Sequence, residues 1–406
     1  MSEPGDPAWT TGDRRVLAAV AAQFFVNGAM TASFVARAPE LRDQVGVTVD
    51  RYGLVLMIAG LSALAASLSA GRIVHRLGTF RVLLGGGAGM VVALPFIGSA
   101  RSATVLVLAL VAYSLVDVLV DISMNLQGSW VSARRRVPVM NRLHGLWSLG
   151  AVSGGLGAAV AGAADVSLGV HLVGVAVVSA VFLASLSVGL SRVDEDGHGD
   201  RSTSAVEDAV PDAAAIPMSV VVLVVAAMSA VVVELTGGDW ASFRLADDLG
   251  SSSAVASTAF VAFMVGMVAV RFGGDWIRAR FGRHVLHRGS VGAAVGGMLM
   301  ASFVDVPWVA VGAFALVGAG VATLLPELYD DAARLPGRRG SGLGLMTAGT
   351  RVASLATPVV VGTLAGTSLG VGASMAIVTL PAAVAFVGLT EASLRRSVTS
   401  TTLPNA

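Results

Sequence analysis

The stretch ATVLVLALVAYSLVDVLVDISMNLQ, residues 103–127, decides the fold. It contains no glycine or proline, and its only charges are Asp117 and Asp121. A helix rises about 1.5 Å per residue, so a run of this length crosses a hydrocarbon core of about 30 Å with residues to spare. The strands of a membrane barrel would alternate polar and apolar residues. This run does not alternate, so it predicts a membrane helix.

Eleven more such runs surround it, at 15–37, 52–74, 82–100, 144–164, 168–190, 217–239, 254–274, 285–303, 307–329, 342–365 and 370–392. The fold class expected is an all-α membrane protein with twelve transmembrane helices. Composition agrees: hydrophobic residues make up 55% of the 406-residue chain and charged residues 13%, at a mean hydropathy of +0.78. The charged share is about half that of soluble domains. Glycine clusters such as Gly85-Gly86-Gly87 and Gly154-Gly155 fall inside the runs, where glycine lets membrane helices approach closely. Residues 1–13 read as a disordered tail. The first run is too long for a cleavable signal and lacks a small-x-small exit.

The chain has no cysteine, which excludes disulfides and thiolate chemistry. A net charge of +1 gives no basic footprint for nucleic acid. Zinc-protease, nucleophile-elbow and phosphate-loop signatures are missing from the sequence, so neither an enzyme, a cofactor nor a metal site is expected.

Orientation follows from arginine, since all 27 basic residues are Arg. With a cytoplasmic N-terminus, 20 of them fall on cytoplasmic segments and 5 outside, with Arg271 and Arg351 inside spans. That is a clear positive-inside bias. It places both termini in the cytoplasm of a bacterial-type inner membrane.

The acidic, proline-bearing stretch 191–216 reads as a cytoplasmic linker between two six-helix halves, 1–190 and 217–406. The halves are pseudo-symmetric. Leu41-Arg42-Asp43-Gln44-Val45-Gly46 recurs as Leu245-Ala246-Asp247-Asp248-Leu249-Gly250, and Arg76-Leu77-Gly78 recurs as Arg280-Phe281-Gly282, both 204 residues later. Parallel six-span repeats imply a pathway between the halves.

On these features the chain resembles the major facilitator superfamily of transporters, over nearly its whole length. The family's loop motif between spans 2 and 3 matches Gly71-Arg72-Ile73-Val74-His75-Arg76-Leu77-Gly78-Thr79-Phe80-Arg81, with His75 at the acidic position. A second copy runs from Gly274 through Asp275, Arg280, Gly282 and Arg283, with Ala279 at that position. The resemblance implies a cytoplasmic gate at Gly71, His75, Arg76, Gly78, Arg81, Asp275, Arg280, Gly282 and Arg283. The Asp117, Asp121, Asn125 spacing, followed by His144-Gly145-Leu146-Trp147-Ser148, is similar to a bacterial branch related to sugar permeases.

Asp117, Asp121 and Asn125 recur at four-residue intervals, which puts them on one stripe of their helix. A carboxylate in hydrocarbon is costly, and taking up a proton removes the cost, as coupling to a proton gradient requires. Glu234 and Arg351 are further intramembrane charges. An Arg at that depth keeps its proton and needs a partner, for which Glu234, Asp117 or an anionic substrate would serve. Gln23 and Asn27, one turn apart, would bond either a polar solute or a neighbouring helix. His144 would be an interfacial or gating histidine, Arg271 a residue that snorkels to the cytoplasmic interface or makes a gate contact, and Trp240 an interfacial belt residue. Glu327, Asp330 and Asp331 beside Arg334, Arg338 and Arg339 read as a cytoplasmic charge network.

The function expected is secondary active transport of a small-molecule substrate by alternating access, coupled to protons, by a monomer in a lipid bilayer. Sugar-type uptake, export of a drug or metabolite, and a transport-dead receptor all stay open.

Overall fold

The computed structural model describes residues 11–135, 139–186, 218–333 and 341–401, all but the short connections helical. The expected linker at 191–216, and Arg334, Arg338 and Arg339, lie outside the described residues.

The first half comprises α1 (Thr11–Val35), a short α2 (Ala38–Val45), α3 (Val49–Leu77), α4 (Thr79–Ser99), α5 (Ala103–Arg135), α6 (Met140–Ala163) and α7 (Leu168–Leu186). The second comprises α8 (Met218–Asp239), one turn of α9 (Ala241–Phe243) running into a π-helical turn (Arg244–Asp248), α10 (Ser253–Phe281), α11 (Arg283–Phe303), α12 (Pro307–Val321) with α13 (Leu324–Ala333), α14 (Ser341–Ala365) and α15 (Gly370–Thr401). Helix α1 begins at Thr11, slightly inside the expected tail.

Among the described residues, eleven helices are long and apolar enough to cross a membrane. The remaining member of the twelve-helix arrangement, α11, is 21 residues long but opens with Arg283, His284, His287 and Arg288, which dilute its apolar character. Span 10 is interrupted after Val321 and resumes at Leu324.

The sequence repeat is a structural repeat. Gly46 and Gly250 both have left-handed backbones, with φ of 67° and 59°. Gly78 and Gly282, at 80° and 85°, turn the chain between consecutive helices. Only glycine adopts such angles without strain, so two matched pairs fix the loop geometry of both halves.

The halves meet along two seams, α3 against α14 and α6 against α10. Within the first half, α1 packs on α6 so tightly that a Cβ added at Gly28, Gly150 or Gly154 would strike the carbonyl of Trp147, Phe25 or Ala29 respectively. This close approach brings the polar side chains of α1 against those of α5 and α6.

Candidate functional site

One continuous polar chain crosses the interior of the first half. Asn27 on α1 donates from Nδ2 to Asp117 Oδ1 on α5 at 2.8 Å and accepts at Oδ1 from Trp147 Nε1 on α6 at 2.7 Å. One turn along, Thr31 Oγ1 and Tyr113 Oη lie 2.9 Å apart. Residues 31 and 27 of α1 thus face 113 and 117 of α5, an antiparallel register stepping by four residues on each side. Asp117 is partly buried. Asp121 and Asn125 follow on the side of α5 that turns outward. Asn125 Nδ2 donates back to the Asp121 carbonyl at 2.8 Å and to its carboxylate at 3.0 Å.

The second half contributes Glu234 on α8 and Arg271 on α10. The Arg271 guanidinium lies 4.0 Å from Glu234 and donates at 2.7 Å to Ser148 Oγ on α6 of the other half. Of the two expectations for Arg271, snorkelling or a gate contact, its contacts fit the second: a carboxylate and a hydroxyl supply its partners. Arg351 on α14 is exposed, and among the described residues its charge acts on Asp121. Asp239 on α8 is the nearest charged neighbour of Glu234 on the same helix. Asp121 and Arg351 are both exposed, and charges within membrane helices generally face the bundle interior or a water-filled space.

Away from the end that carries the termini, the halves are tied together. Arg42 of α2 forms an ion pair with Asp247 of the π-helical turn and sits 5.4 Å above the Phe243 ring. Burial opposes the Arg42 charge, but the Asp247 and Asp43 carboxylates outweigh it and hold its proton more firmly than usual. Arg37 grips Glu40 through two bonds of 2.8 and 2.6 Å, and Ser253 of the other half donates to Glu40 at 2.7 Å. Ser242 and Ser257 both donate to the Ala36 carbonyl. Trp240 was expected in the interfacial belt. It is buried in this seam against Phe243, because the chain folds back at 241–248 and covers it.

The gate motif looks different. His75, Arg76 and Arg81 are exposed and in no ion pair among the described residues. A Cβ at Gly71 would meet nothing within 4 Å. Arg280 is exposed and lies over the Phe281 ring at 5.7 Å. The side chains of Asp275 and Arg283 lie outside the described residues. His144 is exposed and edge-on to Phe24 at 5.3 Å. Glu327 is buried, 3.3 Å from His287. Gln23 is fully buried, and neither amide atom has a hydrogen-bond partner.

Sequence reasoning missed Trp147, Ser148, Tyr113 and Thr31 as members of the site. Their partners lie 82 to 123 residues away along the chain, and nothing local announces such a pairing.

No family model matches the chain. It is 28% identical over 315 residues to an uncharacterised transporter of Sinorhizobium fredii, covering 77% of this chain and 81% of the relative. It is 25% identical over 382 residues to an uncharacterised MFS-type transporter of Yersinia pestis, covering 93% and 94%. The nucleoside transporter NupG has the same fold, with a TM-score of 0.70 at 10% identity, covering 94% of this chain and 99% of that one. The Escherichia coli fucose:proton symporter FucP superposes with a TM-score of 0.59 at 14% identity, covering 92% and 97%.

Proposed function

We propose that the chain is a multi-pass transporter of the major facilitator type, as its relatives and fold suggest, and a proton-coupled carrier of a small polar solute, with Asp117 as the proton-binding group. It would work by alternating access in a bacterial inner membrane, with both termini in the cytoplasm as the arginine distribution indicates.

One observation carries this reading: Asp117 is linked through Asn27 to Trp147, and the residue after Trp147 is Ser148, which Arg271 of the other half holds. As an anion, Asp117 only accepts hydrogen bonds, and it fixes the Asn27 amide so that its carbonyl receives the indole. With a proton, the carboxyl becomes a donor as well. The amide is then free to turn, and Trp147 loses its fixed partner. The proton state of a single carboxyl is thereby transmitted to α6, the helix at the seam between the halves. A neutral Asp117 also removes the cost of carrying a charge through the closed intermediate. The accessible Asp121 and Arg351, with the partly exposed Asp117, Trp147, Glu234 and Arg271, suit a solute that forms several hydrogen bonds. That FucP is named a proton symporter is consistent with proton coupling on this fold.

The test is proton movement in proteoliposomes of the purified chain, screened with sugars, nucleosides, organic acids and amines. A solute-dependent pH change is expected with one class. Asp117→Asn should abolish accumulation against a gradient and spare solute exchange. If Asp117→Asn still concentrates the solute, Asp117 is not the coupling group.

A further inference from the structure

We propose that Asp117 exchanges its proton with the solution at the terminal end through a buried polar column of its own, formed by Gln23, Ser123, Gln127 and Thr79, and not through the solute cavity. This rests on the reading of Asp117 as the proton-binding group.

Six buried polar atoms among the described residues of the first half have no hydrogen-bond partner; Arg37 Nη1 and His171 Nδ1 lie apart from Asp117 toward the other end, and the remaining four are Gln23 Nε2, Gln23 Oε1, Ser123 Oγ and Gln127 Oε1. The side chains of Gln23, Ser123 and Gln127 are at most 2% exposed. A buried polar group without a partner is costly, and folded proteins satisfy such groups with internal water. Apolar side chains of similar size would pack these places at no such cost. Gln127 has one partner, donating from Nε2 to Thr79 Oγ1 at 3.1 Å, and Thr79 opens α4 beside the Gly78 turn of the loop motif.

These groups lie in sequence below Asp117. The pairs Thr31 with Tyr113 and Asn27 with Asp117 set the register of α1 on α5. The next step of the same stripe places Gln23 level with residue 121, about 6 Å below Asp117 at 1.5 Å per residue. Ser123 lies about 9 Å below and Gln127 about 15 Å below on the same scale. Successive groups are thus offset by about 6 Å or less along the helix axis, a spacing at which bridging waters can link them. Asn27 also approaches Met90 Sδ of α4 at 3.8 Å, so the stripe that carries Gln23 faces the junction of α1, α4 and α5. That is where Gln127 meets Thr79. A separate series on α5, with Asp121 and Ser129 exposed and Asn125 partly buried between them, runs down a more accessible side of the helix.

In this path the proton leaves the Asp117 carboxyl for a neighbouring water and hops from water to water. The amides and hydroxyls orient the waters and neither gain nor lose a proton overall. A separate route lets Asp117 discharge while solute still occupies the cavity.

The experiment is a stopped-flow pH jump on the full chain in liposomes of phosphatidylethanolamine and phosphatidylglycerol. The rate is read from the Asp117 carboxyl band in the infrared and from Trp147 fluorescence. Gln23→Met and Gln127→Met should slow protonation by roughly tenfold or more while leaving the titration midpoint unchanged. Ser123→Ala, a milder change, should slow it less. Ser129→Ala on the accessible side should have no effect. Unchanged rates in Gln23→Met, Gln127→Met and Ser123→Ala, or slowing in Ser129→Ala alone, would overturn the column. If Asp117→Asn leaves the titrating band in place, the reading of Asp117 itself fails, which is a separate outcome.

Discussion

At the scale of single residues, the balance of charge in the membrane turns on Arg271. Its guanidinium cannot shed its proton at any useful pH, so its energy depends on its partners. The contact with Ser148 is a charge-assisted hydrogen bond at 2.7 Å, whereas Glu234 is 4.0 Å away and about a quarter exposed. Water in the cavity screens the longer contact more strongly. In double-mutant cycles read by thermal unfolding, Arg271→Gln with Ser148→Ala should show a coupling of about 1–2 kcal/mol. Arg271→Gln with Glu234→Gln should give about 1 kcal/mol or less. The reverse order would mean that Arg271 serves its own half and does not tie the two together. Arg271→Lys should behave nearly as Arg271→Gln toward Ser148, because a single ammonium lacks the fork that reaches both partners.

At the scale of elements, the site depends on how closely α1 lies on α6. Gly150 and Gly154 press against the carbonyls of Phe25 and Ala29, and Gly28 presses against that of Trp147. Gly150→Ala must push the two backbones apart, since a carbonyl cannot move aside as a flexible side chain would. Overpacking of this kind costs about 1–3 kcal/mol, and it withdraws Trp147 from Asn27. The expected outcome is a lower Tm together with blue-shifted or weakened Trp147 coupling to pH. Gly157→Ala, where a Cβ meets nothing within 4 Å, should change stability by no more than about 1 kcal/mol. Equal effects of the two would show that the close approach does not position the indole. The same helices show what a sequence can disclose. The spans were legible because the bilayer imposes a one-dimensional rule, about twenty apolar residues at a time. The four-residue stripe of Asp117, Asp121 and Asn125 was legible for a similar reason. Helix α11 strains that rule with its opening Arg and His residues, but the Gly282 turn matching Gly78 marks its start. The partner of each polar residue was not legible. Asn27 meets Asp117 across 90 residues and Trp147 across 120, and helix packing alone decides which neighbour each side chain reaches. Trp240 was misplaced because its position at a span end says nothing about the short turn that folds over it.

At the scale of the whole molecule, the described hydrogen bonds between the halves concentrate at the end away from the termini. There Arg42 meets Asp247, Ser253 meets Glu40, and Ser242 and Ser257 meet the Ala36 carbonyl. Nearer the terminal end, Arg271 with Ser148 is the one such bond among the described residues. The motif arginines there are exposed, as are Asp121 and Arg351. On the orientation proposed from the arginine distribution, the tied end faces outward and the end with fewer ties faces inward. The repeat explains the form of the closure. The two segments 204 residues apart, 41–46 and 245–250, are brought face to face, and the Arg42 of one copy pairs with the Asp247 of the other, where the pseudo-equivalent of Arg42 is Ala246. The Phe243 ring beneath the guanidinium and the buried Trp240 and Tyr52 beside it exclude water and strengthen the pair. Asp247→Asn should therefore loosen the outward seam without disturbing the cavity floor. Because the chain has no cysteine, labels can be placed one per half, at Thr48→Cys and Leu249→Cys, and their separation followed by electron-spin distance measurements in liposomes. The native latch should give a short, narrow distribution, and Asp247→Asn should add a longer population that grows on the outward-open side. Raising salt should do little to the native latch, since Arg42 is largely buried, and that insensitivity distinguishes it from an exposed surface pair. A distribution unchanged by Asp247→Asn would mean that the serine bonds to Ala36 and the aromatic packing hold the seam unaided.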